Sequence, residues 1–159
     1  MAIYSKEIIK HFKKPRNAGK IKNADGVGSA GNFLCGDIMN IYLKIGKNKK
    51  GEKIIKDIKF ETLGCVVAIA NTSLLTTLVK NKKIEEVLKI AKEDLINKLG
   101  KPLPPFKIHC SILAADALKE AIYNYFLKNK IEISKELEKD HQKIEKEKKI
   151  IEEKYKAWT

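Results

Sequence analysis

Asp37-Ile38-Met39-Asn40-Ile41-Tyr42-Leu43-Lys44-Ile45 alternates in character, with Met39, Ile41, Leu43 and Ile45 on one side and Asn40, Tyr42 and Lys44 on the other. Period two over such a run marks a strand with one buried face. A lysine-rich turn over residues 46–53 follows, and then Ile58 and Phe60 alternate with Lys59 and Glu61. Two such runs joined by a short turn predict a β-hairpin. Gly64-Cys65 closes the second strand, and residues 66–80 read as a mostly buried helix. Shorter helices are expected over 84–91 and 93–99, with Gly100 stopping the second.

Upstream of the hairpin, Ser5 is placed to cap a short helix that ends at Pro15. Residues 17–32, which contain Gly19, Gly26, Gly28 and Gly31 and show no apolar period, read as a loop. Downstream, three prolines in residues 101–107 predict an extended segment. A helix then starts at His109, with Leu113, Ala117, Ala121 and Tyr125 along one face. In the last thirty residues Leu137, Ile144, Ile151 and Trp158 recur every seven positions among Lys and Glu. The second seam position is filled by His141, Lys148 and Tyr155, which favours a helix packed back on the body over a dimeric coiled coil. The expected organisation is a domain over 1–129 and a charged amphipathic helical extension over 130–159.

The chain has 159 residues, 43% hydrophobic and 33% charged, which is one domain's worth and enough for a core without staples. Its apolar runs are too short to span a bilayer, and its first residues do not read as a secretory signal. A soluble, cytoplasmic protein is therefore expected. Net charge is +13, yet Arg16 is the sole arginine among 33 basic residues. Lysine is a hydrated point charge and arginine the usual bidentate reader of bases, so a specific nucleic-acid reader is disfavoured.

Three cysteines with wide spacing, Cys35, Cys65 and Cys110, build no disulfide framework, and the absence of any Cys-x-x-Cys pair argues against a zinc ribbon. Each sits at a junction: Cys35 before Gly36-Asp37 and the first strand, Cys65 after Gly64 where strand gives way to helix, and Cys110 after His109 at the start of a helix. Helix N-termini favour thiolate over thiol, and a lone cysteine is otherwise a small buried apolar residue. If the junctions converge, three thiolates, an imidazole and a carboxylate share one pocket. Spacing alone leaves zinc, an iron–sulfur cluster and nucleophilic sulfur chemistry all open. His11 and His141 read as surface residues.

Cys35-Gly36-Asp37, the run from Gly64 to Ala70 and the run from Leu103 to Ala114 resemble, in order and spacing, the IscU/NifU family of iron–sulfur cluster scaffolds. Tyr4-Ser5 and Pro15-Arg16-Asn17 extend the likeness, so it covers roughly residues 3–127. The resemblance implies a compact α+β fold, a small antiparallel sheet of about three strands covered by helices. It implies that Cys35, Cys65 and Cys110 ligate a labile 2Fe–2S cluster, completed or tuned by Asp37 and His109. Cys110 matches the position that accepts persulfide sulfur from a cysteine desulfurase, so the expected role is an assembly scaffold without conventional enzymatic turnover. Leu103, Pro104, Pro105, Phe106 and Lys107 match the segment gripped by a heat-shock chaperone working with a J-type co-chaperone. A ferredoxin or frataxin-like protein and apo iron–sulfur acceptor proteins complete the implied partners; neither a membrane nor a specific nucleic acid is among them. The alternative is a zinc protein using the same Cys/His/Asp site. The sequence departs from the family at Val66-Val67, where Gly-Ser is usual, and at Phe33-Leu34, where a small residue is common before Cys35.

Overall fold

The structure is a computed structural model that describes residues 3–32, 36–100, 103 and 105–156. Helix α1 (Lys6–Lys13) is capped by Ser5, whose hydroxyl accepts from the Ile8 amide. Strands β1 (Gly26–Asn32), β2 (Asp37–Lys47) and β3 (Lys53–Leu63) form one antiparallel sheet in the order β1-β2-β3. Helices α2 (Val66–Val79), α3 (Ile84–Leu88) and α4 (Lys92–Leu99) follow. A 3-10 turn (Pro105–Lys107) then leads into α5 (Ile108–Lys128), and α6 (Lys135–Lys156) ends the described chain. The fold is the expected α+β arrangement of a three-stranded sheet with helices.

The hairpin stands as read. Met39, Ile41, Leu43, Ile58 and Phe60 are buried and share a core with Val67, Leu75, Leu113, Ala117 and Ile122 of α2 and α5. A register shift at Lys44/Ile45 ends the strict alternation of β2. Helix α2 is apolar almost all round, as a helix enclosed by neighbours should be. Most of its buried polar groups are bonded, although Asn71 Oδ1 has no partner among the described residues. Asn71 Nδ2 donates to the Ser111 carbonyl at 2.7 Å, and Thr72 and Thr76 donate back to α2's own carbonyls.

Several expectations change. Residues 26–32 form a strand and not a loop, because their glycines serve contact with a helix. A Cβ on Gly28 would lie 2.1 Å from the Ala121 nitrogen and 2.3 Å from the Ala117 carbonyl oxygen. The α5 backbone rests directly on β1, so its inward face carries Gly26, Gly28 and Ala30 and lacks the large apolar side chains that would reveal it. Pro105, Phe106 and Lys107 form a 3-10 turn, since proline's fixed φ suits the first position of a helical turn; Lys101, Pro102 and Pro104 lie outside the described residues. His11 is 6% exposed, and its Nδ1 lies 2.7 Å from the Ser73 hydroxyl; burial lowers the imidazole pKa.

Helix α6 runs antiparallel to α5 and also touches β1. Its heptad residues Leu137, Ile144 and Ile151 are buried on the body, so that stripe is not available to a second chain. Trp158 lies outside the described residues. His141 is not a surface residue: its ring stacks on Tyr123 with centroids 3.8 Å apart, and its Nδ1 lies 2.7 Å from Glu120 Oε1. Lys148 Nζ lies 3.7 Å from the other Glu120 oxygen. His141 and Lys148, two of the polar seam positions of α6, thus face the buried Glu120 carboxylate of α5. Among the described residues, no helix is long and apolar enough to cross a membrane.

Candidate cluster-binding site

Three elements end at one pole of the sheet. Strand β2 begins there at Asp37, paired with Asn32 of β1. Strand β3 ends there at Leu63, and Gly64 hands the chain to Cys65, the N-cap of α2. The 3-10 turn delivers α5 to the same pole, with His109 and Cys110 in its first turn. Both helices therefore aim their N-terminal amides at this corner, where orphan N–H groups and the helix dipole favour anions.

The sulfurs of Cys65 and Cys110 are 3.5 Å apart, far beyond the roughly 2.05 Å of a disulfide bond. With a carboxylate oxygen of Asp37 they form a group whose donor atoms all lie within 4.8 Å of one another. Cys110 and Asp37 are buried and Cys65 half-buried. Among the described residues, Asp37 Oδ2 and His109 Nε2 are buried without a hydrogen-bond partner. Polar atoms enclosed in this way are costly unless something else binds them, and a metal-centred cargo would do so. His109 falls outside the close group of three donors. Cys35 lies outside the described residues.

Electrostatics prepares the sulfurs. The Cys65 pKa is lowered to about 6, first by its hydrogen bond with Cys110, then by the Ala68 and Val67 amides of α2; burial and the Asp37 charge oppose this. Lys107 stands over the pair, and its pKa is raised, chiefly by Cys65 with a further contribution from Cys110. Sequence reading assigned Lys107 only to a partner-binding segment; its place beside the sulfurs became visible once the 3-10 turn was seen to fold it back. Of that segment, Leu103 is partly buried and Pro105 exposed, while Pro104 and the Phe106 side chain lie outside the description. Around the pole Leu63, Ile108 and Ile38 are exposed. A second group, Glu120, His141 and Glu145, also has ligand-like spacing, but Lys148 neutralises both its carboxylates at 3.7 and 3.1 Å, so it serves packing.

Two soft thiolates and one hard oxygen donor in a half-enclosed corner suit iron–sulfur or zinc chemistry. Comparison with known proteins narrows the choice. Residues 3–132 match the family described as NifU-like N terminal domain. The chain is 52% identical over 147 residues to an Archaeoglobus fulgidus protein named iron-sulfur cluster assembly scaffold protein IscU 1, covering 91% of this chain and 92% of the relative. It is 45% identical over 125 residues to the protein of that name, IscU, from Escherichia coli K12, covering 77% and 93%. A crystal structure from Fervidobacterium islandicum, described as an iron-sulfur cluster assembly scaffold protein for the SUF system, superposes with a TM-score of 0.62 at 25% identity, covering 76% of this chain and 96% of the other.

Proposed function

The chain belongs to the NifU-like N-terminal domain family, and from that membership we propose that it is a scaffold on which an iron–sulfur cluster is built and then handed to acceptor proteins. The observation that carries this reading is the pair of sulfurs 3.5 Å apart beside a carboxylate whose buried oxygen has no partner. The cargo is a 2Fe–2S cluster held by Cys35, Cys65, Cys110 and Asp37, with His109 beside them. One oxygen ligand among sulfurs weakens the hold, which suits a protein that must release what it carries. The unit that does this spans residues 1–129, and residues 130–159 are its extension. Zinc would accept the same donors, but the scaffold names of the relatives favour the cluster.

Sulfur arrives from a cysteine desulfurase. The Cys110 thiolate attacks the outer sulfur of the donor's persulfide; a new S–S bond forms on Cys110, and the donor leaves as its own thiolate. Cys110 is fully buried, so delivery requires the 3-10 turn and the first turn of α5 to yield locally. A chaperone pair acting on Leu103, Pro104, Pro105, Phe106 and Lys107 would move that very segment. A ferredoxin or frataxin-like protein supplies the remaining needs of assembly. The scaffold has no turnover of its own.

Anaerobic reconstitution with ferrous iron, cysteine and a desulfurase tests the reading. The wild type is expected to develop a visible chromophore, and Cys65→Ser and Cys110→Ser to lose it. A colourless protein that keeps stoichiometric zinc would favour the alternative. Persulfide mapping by mass spectrometry should place the transferred sulfur on Cys110; sulfur found on Cys65 alone overturns that assignment. Asp37→Ala is expected to load a cluster and pass it to an apo acceptor more slowly than the wild type, and unchanged transfer kinetics would remove Asp37 from the hand-over.

A further inference from the structure

Helix α6 lies beyond the matched family region, which ends at residue 132. The E. coli relative spends 93% of its length on 125 aligned residues, whereas the alignment with the Archaeoglobus relative runs to 147. The extension therefore belongs to part of the family, and its placement shows what it adds.

Chain direction brings α6 to the site. Helix α5 leaves the sulfur pole and α6 returns toward it, ending beside β1. Its 22 residues span about 33 Å at 1.5 Å per residue, enough to run the length of the body. Its register is fixed by polar contacts that tolerate no slip. Tyr123 donates to Glu138, Lys119 pairs with Asp140, and the buried Glu120 takes His141 and Lys148. A displacement of one turn would break all of these, and ionic groups in an interface are best attested as register devices. With this register Ile151, 8% exposed, comes to rest on Gly31: a Cβ on Gly31 would lie 2.6 Å from Ile151 Cδ1. Gly31 pairs with Ile38, and the next pair is Asn32 with Asp37. Between the last turns of α6 and the sheet, a cleft of about 190 Å³ is lined by Ser29, Ile38, Asn40, Lys148 and Glu152. Ile151 and Gly31 themselves edge this cleft, so the contact holds the α6 end of a longer α6–β1 interface, one residue pair from Asp37.

We propose that α6 is a strap whose Ile151, seated on Gly31, positions Asp37 at the start of β2 through the β1–β2 strand pair and so slows release of the bound cluster. This rests on the scaffold reading above for the cluster, although the hold on the turn does not need it. Ile151 is a positioning residue: it acts through Gly31 and the strand pair, at a distance from the donor atoms. The glycine at 31 is the seat, since a side chain there would displace the Ile151 δ-methyl.

The test compares wild type, Ile151→Ala, Ile151→Leu and Val87→Ala, the last a core truncation (Val87 is 3% exposed) in α3, away from the strap. In the metal-free protein, amide hydrogen exchange of Gly36, Asp37 and Ile38 is expected to rise about tenfold in Ile151→Ala, with Ile41 and Leu43 unchanged. In the reconstituted protein the same variant should load to the wild-type stoichiometry and show an altered visible circular-dichroism band. It should also lose its cluster to a chelator several-fold faster. Ile151→Leu should restore both behaviours, and Val87→Ala should alter neither. Unchanged exchange at residues 36–38 overturns the strap. Faster exchange with unchanged release and dichroism overturns its role in retention. A wild type that takes up no cluster overturns the scaffold reading and leaves the exchange result to decide the hold on the turn.

Discussion

Cys65 shows how one side chain is tuned by where its backbone stops. As N-cap of α2 it meets the Val67 and Ala68 amides and shares a hydrogen bond with Cys110, so the thiolate is favoured down to about pH 6. Below that pH the proton returns and the nucleophile is lost. Alkylation of Cys65 by iodoacetamide in the metal-free protein should therefore rise with a midpoint near pH 6, against about 8.5 for an ordinary cysteine. In Cys110→Ser the midpoint should move, because the strongest contribution changes; peptide mass spectrometry across a pH series reads both. The meeting of the sulfurs was legible in the sequence only through resemblance. Junction positions suggested three reactive cysteines, but nothing in a separation of 45 residues says that Cys65 and Cys110 touch. The choice between Asp37 and His109 was likewise beyond the sequence, because it depends on how the first turn of α5 is rotated against β2.

At the scale of elements, periodicity served where a face is buried by side chains and failed where it is buried by their absence. The hairpin and α5 announced themselves through alternating or helical apolar residues. Strand β1 did not, since Gly26 and Gly28 are its contact with α5. Gly28→Ala forces a methyl into the α5 backbone and should cost at least about 3 kcal/mol in urea unfolding, the upper range for overpacking. The interface between α5 and α6 carries a different mark. Asp116 has its pKa raised to about 6, mainly by burial, with Lys119 opposing. Its folded-state value lies above the unfolded one, so the charged form opposes folding. That penalty is absent below about pH 4, grows through pH 6 and is full above it. Asp116→Asn should therefore stabilise the protein by about 1 kcal/mol at pH 7 and by almost nothing at pH 4, as read by thermal melts at both values. The heptad of α6 was legible, but His141 was not, because its partner Glu120 belongs to the preceding helix.

For the whole molecule, charge and chemistry are separable. The surplus of +13 is almost entirely lysine, and residues 1–129 hold 24 basic against 12 acidic side chains. Such a surface attracts acidic partners at long range without reading sequence. Binding to duplex DNA or heparin in a filter assay should be indifferent to sequence and largely gone by about 0.2 M salt; a preferred sequence that survives that salt would contradict the composition argument. The composition showed this much directly.

The two sulfurs and the carboxylate come from the starts of α2, α5 and β2, and no single element owns more than one of them. Custody of the cargo is therefore a property of the assembled corner. Because only the native arrangement can grip it, the occupied form gains stability that the empty form lacks. The same linkage means that tugging α5 a few ångströms from α2 would empty the hand without touching a ligand bond directly.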